Sequence, residues 1–168
     1  MGRHTEEGRG VQETKPATAR VIAAAAAAGL DITVRQFPEG TRTAADAAAA
    51  IGCDVAAIVK SIVMHDDVGP LLVFTSGRNR VDAGKVEAEI GGGAVRRATA
   101  EEARAATGYA IGGTAPFGHP APLRMLVDRD LLEFEEVWAA AGTPDTVFPL
   151  TPRQLMAATG VPPVDVAE

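Results

Sequence analysis

The sequence predicts a single α/β domain built on one mixed, largely antiparallel sheet with helices packed around it. Three observations carry that prediction. Helical stretches bounded by start and stop signals alternate with short runs rich in Val, Ile and Leu. Two such runs, 58–64 and 71–75, flank a polar turn at 65–70 and read as an antiparallel hairpin. Finally, no repeat and no linker divides the 168 residues, a length that suits one compact domain with a real core.

Taken in order, residues 1–15 are polar and rich in Arg, Glu and Gly, and read as a flexible leader before a domain spanning 16–168. Pro16 stands where a first helical turn tolerates a missing N–H, so a helix over 18–28 follows, closed by Gly29. Residues 32–37 alternate as a strand ending at Pro38 and Gly40. Thr43 is an N-cap for a helix over 44–51, and Asp54 opens the turn into the hairpin. Asp82 caps a helix over 83–90 that the Gly91-Gly92-Gly93 run must end. After a brief strand at 94–97, Thr99 and Glu102 form a capping box for a helix ending at Gly108. Strand candidates then lie at 124–127, 135–139 and 146–148, and Thr151-Pro152 starts a last helix to Ala158.

Composition excludes several classes. Apolar residues make up 46% and charged residues 23%, as in an ordinary globular protein. A single cysteine, Cys53, permits no intrachain disulfide and falls short of a structural zinc site, so the cytoplasm is the expected compartment. The longest apolar stretch, 21–30, is too short to span a membrane. Sixteen Lys and Arg against twenty-two Asp and Glu give a net charge of −6. That balance argues against broad electrostatic binding of nucleic acid, DNA included, while leaving room for a local basic patch that holds one RNA end.

Few residues stand out chemically. Lys60 sits inside an apolar run and shares a strand face with Ile58 and Ile62. Such a lysine ordinarily carries its charge out to the strand edge; the functional alternative is a cation at the mouth of a pocket, holding a phosphate or polarising a carbonyl. The glycine- and proline-rich loop 109–120 could bring backbone N–H groups close to an oxyanion or an ester carbonyl, or could simply be a tight connection. It is not a phosphate-binding P-loop, lacking the Gly-Lys-Ser/Thr ending, and no strand leads directly into it as a dinucleotide fingerprint requires. His119 could serve as a base, but His4, His65 and His119 form no metal pattern. Trp138 and Phe134 read as core residues. A nucleophile elbow is absent.

The order of several short motifs adds a family. Ile58-Val59-Lys60-Ser61-Ile62, Thr107-Gly108-Tyr109 leading into Gly112-Gly113-Thr114-Ala115-Pro116, and Arg80-Val81-Asp82, Leu126-Val127-Asp128 and Ala140-Ala141-Gly142 together resemble the YbaK family of aminoacyl-tRNA deacylases over residues 16–158. The resemblance implies a partly barrel-like YbaK fold. It also implies hydrolysis of the ester joining a wrong amino acid to the 3′ end of a tRNA, typically tRNA-Pro. It makes Lys60, Gly112 and Gly113 the catalytic residues, and Phe37, Ser61, Thr114, Ala115, Pro116, His119, Ala141 and Gly142 the substrate-binding set. No metal or cofactor is implied, and prolyl-tRNA synthetase is an expected associate of an otherwise monomeric chain. The segment 140–142 matches neither the alanine-removing nor the cysteine-removing branch, which leaves Cys, Ala, Ser, Thr or a small nonprotein residue as the amino acid removed. Two other classes fit the same residues: a non-catalytic tRNA-end-binding module that partners the synthetase, and a hydrolase of other small activated acyl esters.

Overall fold

The computed structural model describes residues 14–37 and 43–168. The expected leader therefore lies outside the described residues except for Thr14 and Lys15, as do Pro38 and Gly40.

Helix α1 (Pro16–Ala27) begins with proline in its first turn and buries Thr18, Val21 and Ala25, one face at helical spacing. Residues 32–34 run on without pairing, and only β1 (Arg35–Gln36) forms ladder bonds. Ile32 and Val34 gain their burial by packing on the main core, so the alternation that predicted a six-residue strand is satisfied without one. Helix α2 (Ala44–Ile51) is held by a reciprocal Thr43–Asp46 capping box. A short 3-10 turn then feeds β2 (Val59–His65), which pairs with β3 (Pro70–Ser76) from Val59 opposite Ser76 to His65 opposite Pro70.

Leu71, Leu72, Val73 and Phe74 are all fully buried. Leu72 and Phe74 enter the main core, while Leu71 and Val73 enter a second cluster around Val86 on helix α3 (Ala83–Ile90). A strand covered on both faces needs no polar alternation, which explains its continuous apolar run. Beyond it come β4 (Arg96–Arg97), α4 (Ala100–Thr107), β5 (Arg124–Asp128), β6 (Val137–Ala140), β7 (Thr146–Leu150), α5 (Pro152–Thr159) and β8 (Pro163–Val164).

The structure divides the expected sheet in two. A five-stranded sheet has the order β4-β2-β3-β5-β8, and a three-stranded sheet the order β1-β7-β6. The contacts β3·β5 and β5·β8 are parallel and the other ladders antiparallel. One bridge, Ile58 to Trp138, joins the two sheets, which do not close into a barrel. The main core lies between them, around Phe74, Tyr109, Leu131 and Phe148. No described helix is long and apolar enough to cross a membrane.

Candidate functional site

The seam between the two sheets opens into a cavity of about 570 Å3. Its walls come from the first half of β2, the start of α2, the Gly112 loop and the β6–β7 hairpin. The pairing pattern explains why the space is there. Strand β4 pairs with the outer edge of β2 at Met64 and His65, and β6 bridges to Ile58 just before β2, so the cavity opens along the first half of β2 between these two pairings.

Lys60 reaches this space from β2 and is half-buried. Its Nζ donates to the main-chain carbonyl of Asn79 at 2.6 Å. Burial pushes the ammonium below its ordinary range, and the positive charges of Arg97 and Arg80 add to that, against an opposing pull from Asp128. Arg97 also lines the cavity. Among the described lining residues, Lys60 and Arg97 are the charged ones, and none is a carboxylate, an imidazole or a thiol. In a chain of net charge −6, the described lining residues make the cavity a local cationic site. Its remaining surface is largely apolar, from Ala44, Ala47, Ile58, Trp138 and Val147, with the Thr43, Thr114 and Thr146 side chains among it.

The Gly112 loop is fastened to β2 by Ser61, whose Oγ donates to the Thr114 carbonyl at 3.0 Å. Gly112 has φ +84°, a left-handed conformation that favours glycine, and lines the cavity. Gly113 serves a different purpose. Its N–H closes a turn onto the Ala110 carbonyl at 2.9 Å. A Cβ there would lie 2.8 Å from the Gly142 carbonyl oxygen and 2.8 Å from the Thr143 Cα, so the residue is small because backbone passes against it.

Of the sequence-derived site residues, the fold brings Lys60, Ser61, Gly112 and Thr114 to the cavity. It places the others elsewhere. Ala115 and Ala141 are fully buried in the main core, and Pro116 is buried beside them. Gly142 packs against the main chain of Ala17. A ring nitrogen of His119 lies 2.8 Å from the Ala115 carbonyl oxygen, its ring sits edge-on to Tyr109, and burial pushes its pKa down. Phe37 lies beneath the Arg35 guanidinium at 5.6 Å. Conversely, sequence reasoning passed over Arg97, Ile111, Trp138, Pro144 and Thr146, which all line the cavity. The Arg96-Arg97 pair in an acidic chain was the one available signal. Trp138, which reads as core in sequence, is half-buried and lines the cavity.

Comparison with known proteins bears on this geometry. A family model described as an aminoacyl-tRNA editing domain matches residues 38–158. The uncharacterized protein YwhH of Bacillus subtilis is 29% identical over 123 residues, covering 73% of this chain and 78% of that protein. The crystal structure of a candidate trans-editing enzyme for prolyl tRNA synthetase superposes with a TM-score of 0.88 at 45% identity, covering 92% of this chain and 99% of the other. That of hypothetical protein APE2540 gives a TM-score of 0.82 at 33% identity over 89% of this chain and 99% of its own.

Proposed function

The chain belongs to the aminoacyl-tRNA editing domain family, and from that premise we propose that it is a trans-acting deacylase that hydrolyses the ester of a mischarged tRNA, with tRNA-Pro carrying a small amino acid as substrate. The likeness to a candidate trans-editing enzyme for prolyl tRNA synthetase supports the choice of tRNA. The observation that carries the reading is the cavity's chemistry: among the described lining residues the charged ones are Lys60 and Arg97, none is a carboxylate or an imidazole, and the rest of the wall is largely apolar.

An aminoacyl ester is already activated, so its hydrolysis can rest on positioning and on stabilising charge at the carbonyl. Lys60 and Arg97 hold the phosphate and sugar of the terminal adenosine, Lys60 as a compact point charge and Arg97 as a fork from β4. The amino-acid side chain enters the apolar region between α2 and β7. Water attacks the ester carbonyl, the bond to the ribose oxygen breaks, and that oxygen leaves with a proton as a hydroxyl. No carboxylate or imidazole among the described lining residues stands ready to take the water's proton, so a ribose hydroxyl of the substrate is the group placed to orient it. Gly112 lines the same space, whereas the N–H of Gly113 is engaged within the chain. Size exclusion selects the amino acid, and one methylene in such a pocket discriminates only about 10- to 200-fold.

The test is hydrolysis of tRNA-Pro charged separately with Cys, Ala, Ser, Thr and Pro, with spontaneous decay subtracted. Wild type should cleave one or more mischarged forms and spare prolyl-tRNA. Lys60→Ala should lower that rate by about 100-fold or more, the scale of losing one charge-stabilising donor. Binding of tRNA-Pro without cleavage would favour a recognition module. Turnover of free esters that tRNA does not inhibit would favour a general small-ester hydrolase.

A further inference from the structure

The Leu126-Val127-Asp128 segment lies on β5, outside the cavity, and the reaction described above gives it no part. Asp128 is fully buried, an expensive location for a carboxylate unless several donors converge on it. They do. Its Oδ2 accepts from the Ser76 N–H at 3.0 Å and from the Asn79 side-chain amide at 2.8 Å, and its Oδ1 accepts from the Asp130 N–H at 2.9 Å. The same Asn79 amide donates to Asp130 at 2.7 Å. The main-chain carbonyl of Asn79 is the group that receives the Lys60 ammonium.

Topology makes this chain of contacts possible. β5 runs parallel to β3 with Val127 opposite Phe74, so the ends of the two strands lie side by side. Asp128 there meets Ser76 and the turn that follows it. We propose that Asp128 and Asn79 are positioning residues for Lys60: the carboxylate pins the 76–79 turn, and the pinned carbonyl of Asn79 fixes where the ammonium meets the substrate. This rests on the deacylase reading only for its catalytic consequence. The charged groups that act on Lys60 are Arg97 from β4, Arg80 beyond the turn, and Asp128 itself, whose negative charge favours the protonated amine.

Two variants test it, Asp128→Asn and Asn79→Ala, each checked for an intact thermal transition. Both should lower kcat on the mischarged tRNA by about 10- to 100-fold, the scale of a displaced reacting group, with KM within about twofold of wild type. A second readout does not depend on activity. The chain has three lysines, Lys15, Lys60 and Lys85, so the Cε resonance of Lys60 can be followed through a pH titration in 13C-lysine-labelled protein. Removing the Asp128 charge should move that titration to lower pH, and with it the alkaline limb of kcat. Asn79→Ala keeps the charge and should move the titration less while still lowering kcat. Full activity in either variant would overturn the proposal. So would a loss of activity that tracks unfolding while Lys60 titrates as in wild type. Should Asp128→Asn fail to fold, Asn79→Ala, altering a half-exposed side chain, decides alone. If the wild type cleaves no charged tRNA, the deacylase reading fails, and the Lys60 titration still judges the positioning.

Discussion

Glycine 112 and glycine 113 are neighbours that answer to different constraints, and substitution separates them. Alanine at 112 must adopt a left-handed backbone conformation, which costs about 1–2 kcal/mol, although its Cβ would meet only Pro144 at an ordinary 3.6 Å. Alanine at 113 keeps an allowed backbone but drives a methyl into the Gly142–Thr143 main chain, an overpacking cost of about 1–3 kcal/mol. Both should lower the urea midpoint. The site should respond differently. Gly113→Ala pushes on the segment that carries Pro144 and Thr146 of the cavity wall and so should impair turnover through a displaced wall. Gly112→Ala places a methyl at the lip itself and should raise KM. Steady-state kinetics beside urea titrations of each variant check both expectations. Sequence reading grouped the two glycines into one ligand-binding pair because composition cannot tell a residue that faces a ligand from one that faces its own backbone.

Helices, hairpin and caps were legible where the signal is local. The capping box expected at Thr99 forms, and the helix starts expected at Thr43 and Thr151 are capping boxes as well, because a cap is decided within four residues. The hairpin was legible too, and its turn shows an added device. Asp66 accepts from the N–H groups of Val68 and Gly69 while Arg124 of β5 grips the carboxylate with two nitrogens, at 2.6 and 2.9 Å. The short strands β1, β4 and β8 were misjudged in length or missed, since each exists only where a distant strand edge accepts two residues. The Arg124 hydrogen bonds hold the Asp66 carboxyl far below the usual carboxylate range, and Arg96, with the Thr99 N–H, does the same to Glu102. A carboxylate depressed in the folded state stabilises above its unfolded pKa, about 4 for these side chains, and that contribution is lost as pH falls. The urea midpoint should therefore hold level from neutral pH to about 5 and decline below about 4. Asp66→Asn should lower the neutral plateau and flatten the acid decline. A variant whose midpoint keeps the wild-type pH profile would show that this turn carries none of the acid sensitivity.

The division into two sheets produces the site, and it is the feature sequence reading missed most. Lys60 was visible as a charge in an apolar run, and the Gly112 loop as a cluster of turn formers. Arg97, Trp138 and Thr146 were not visible as site residues, because only the meeting of the sheets at the Ile58–Trp138 bridge brings them to one cavity. The chain carries a net charge of −6, and at the cavity the described cations are Lys60 and Arg97, with Arg80 near Lys60. No described carboxylate ion-pairs with any of these three, whereas Arg78, Arg96, Arg124 and Arg129 each have an acidic partner. Salt dependence measures what those three contribute. For a single-stranded end, each neutralised phosphate contributes about −0.7 to the slope of log affinity against log salt, so three cations set a limit of about −2. The log of kcat/KM for the charged tRNA should follow that slope, and Arg97→Ala should reduce its steepness by about 0.7 while leaving the rate at saturating substrate near that of wild type. A slope several times steeper would mean that the tRNA body is gripped beyond its 3′ end. A slope unchanged by Arg97→Ala would mean that Arg97 touches no phosphate.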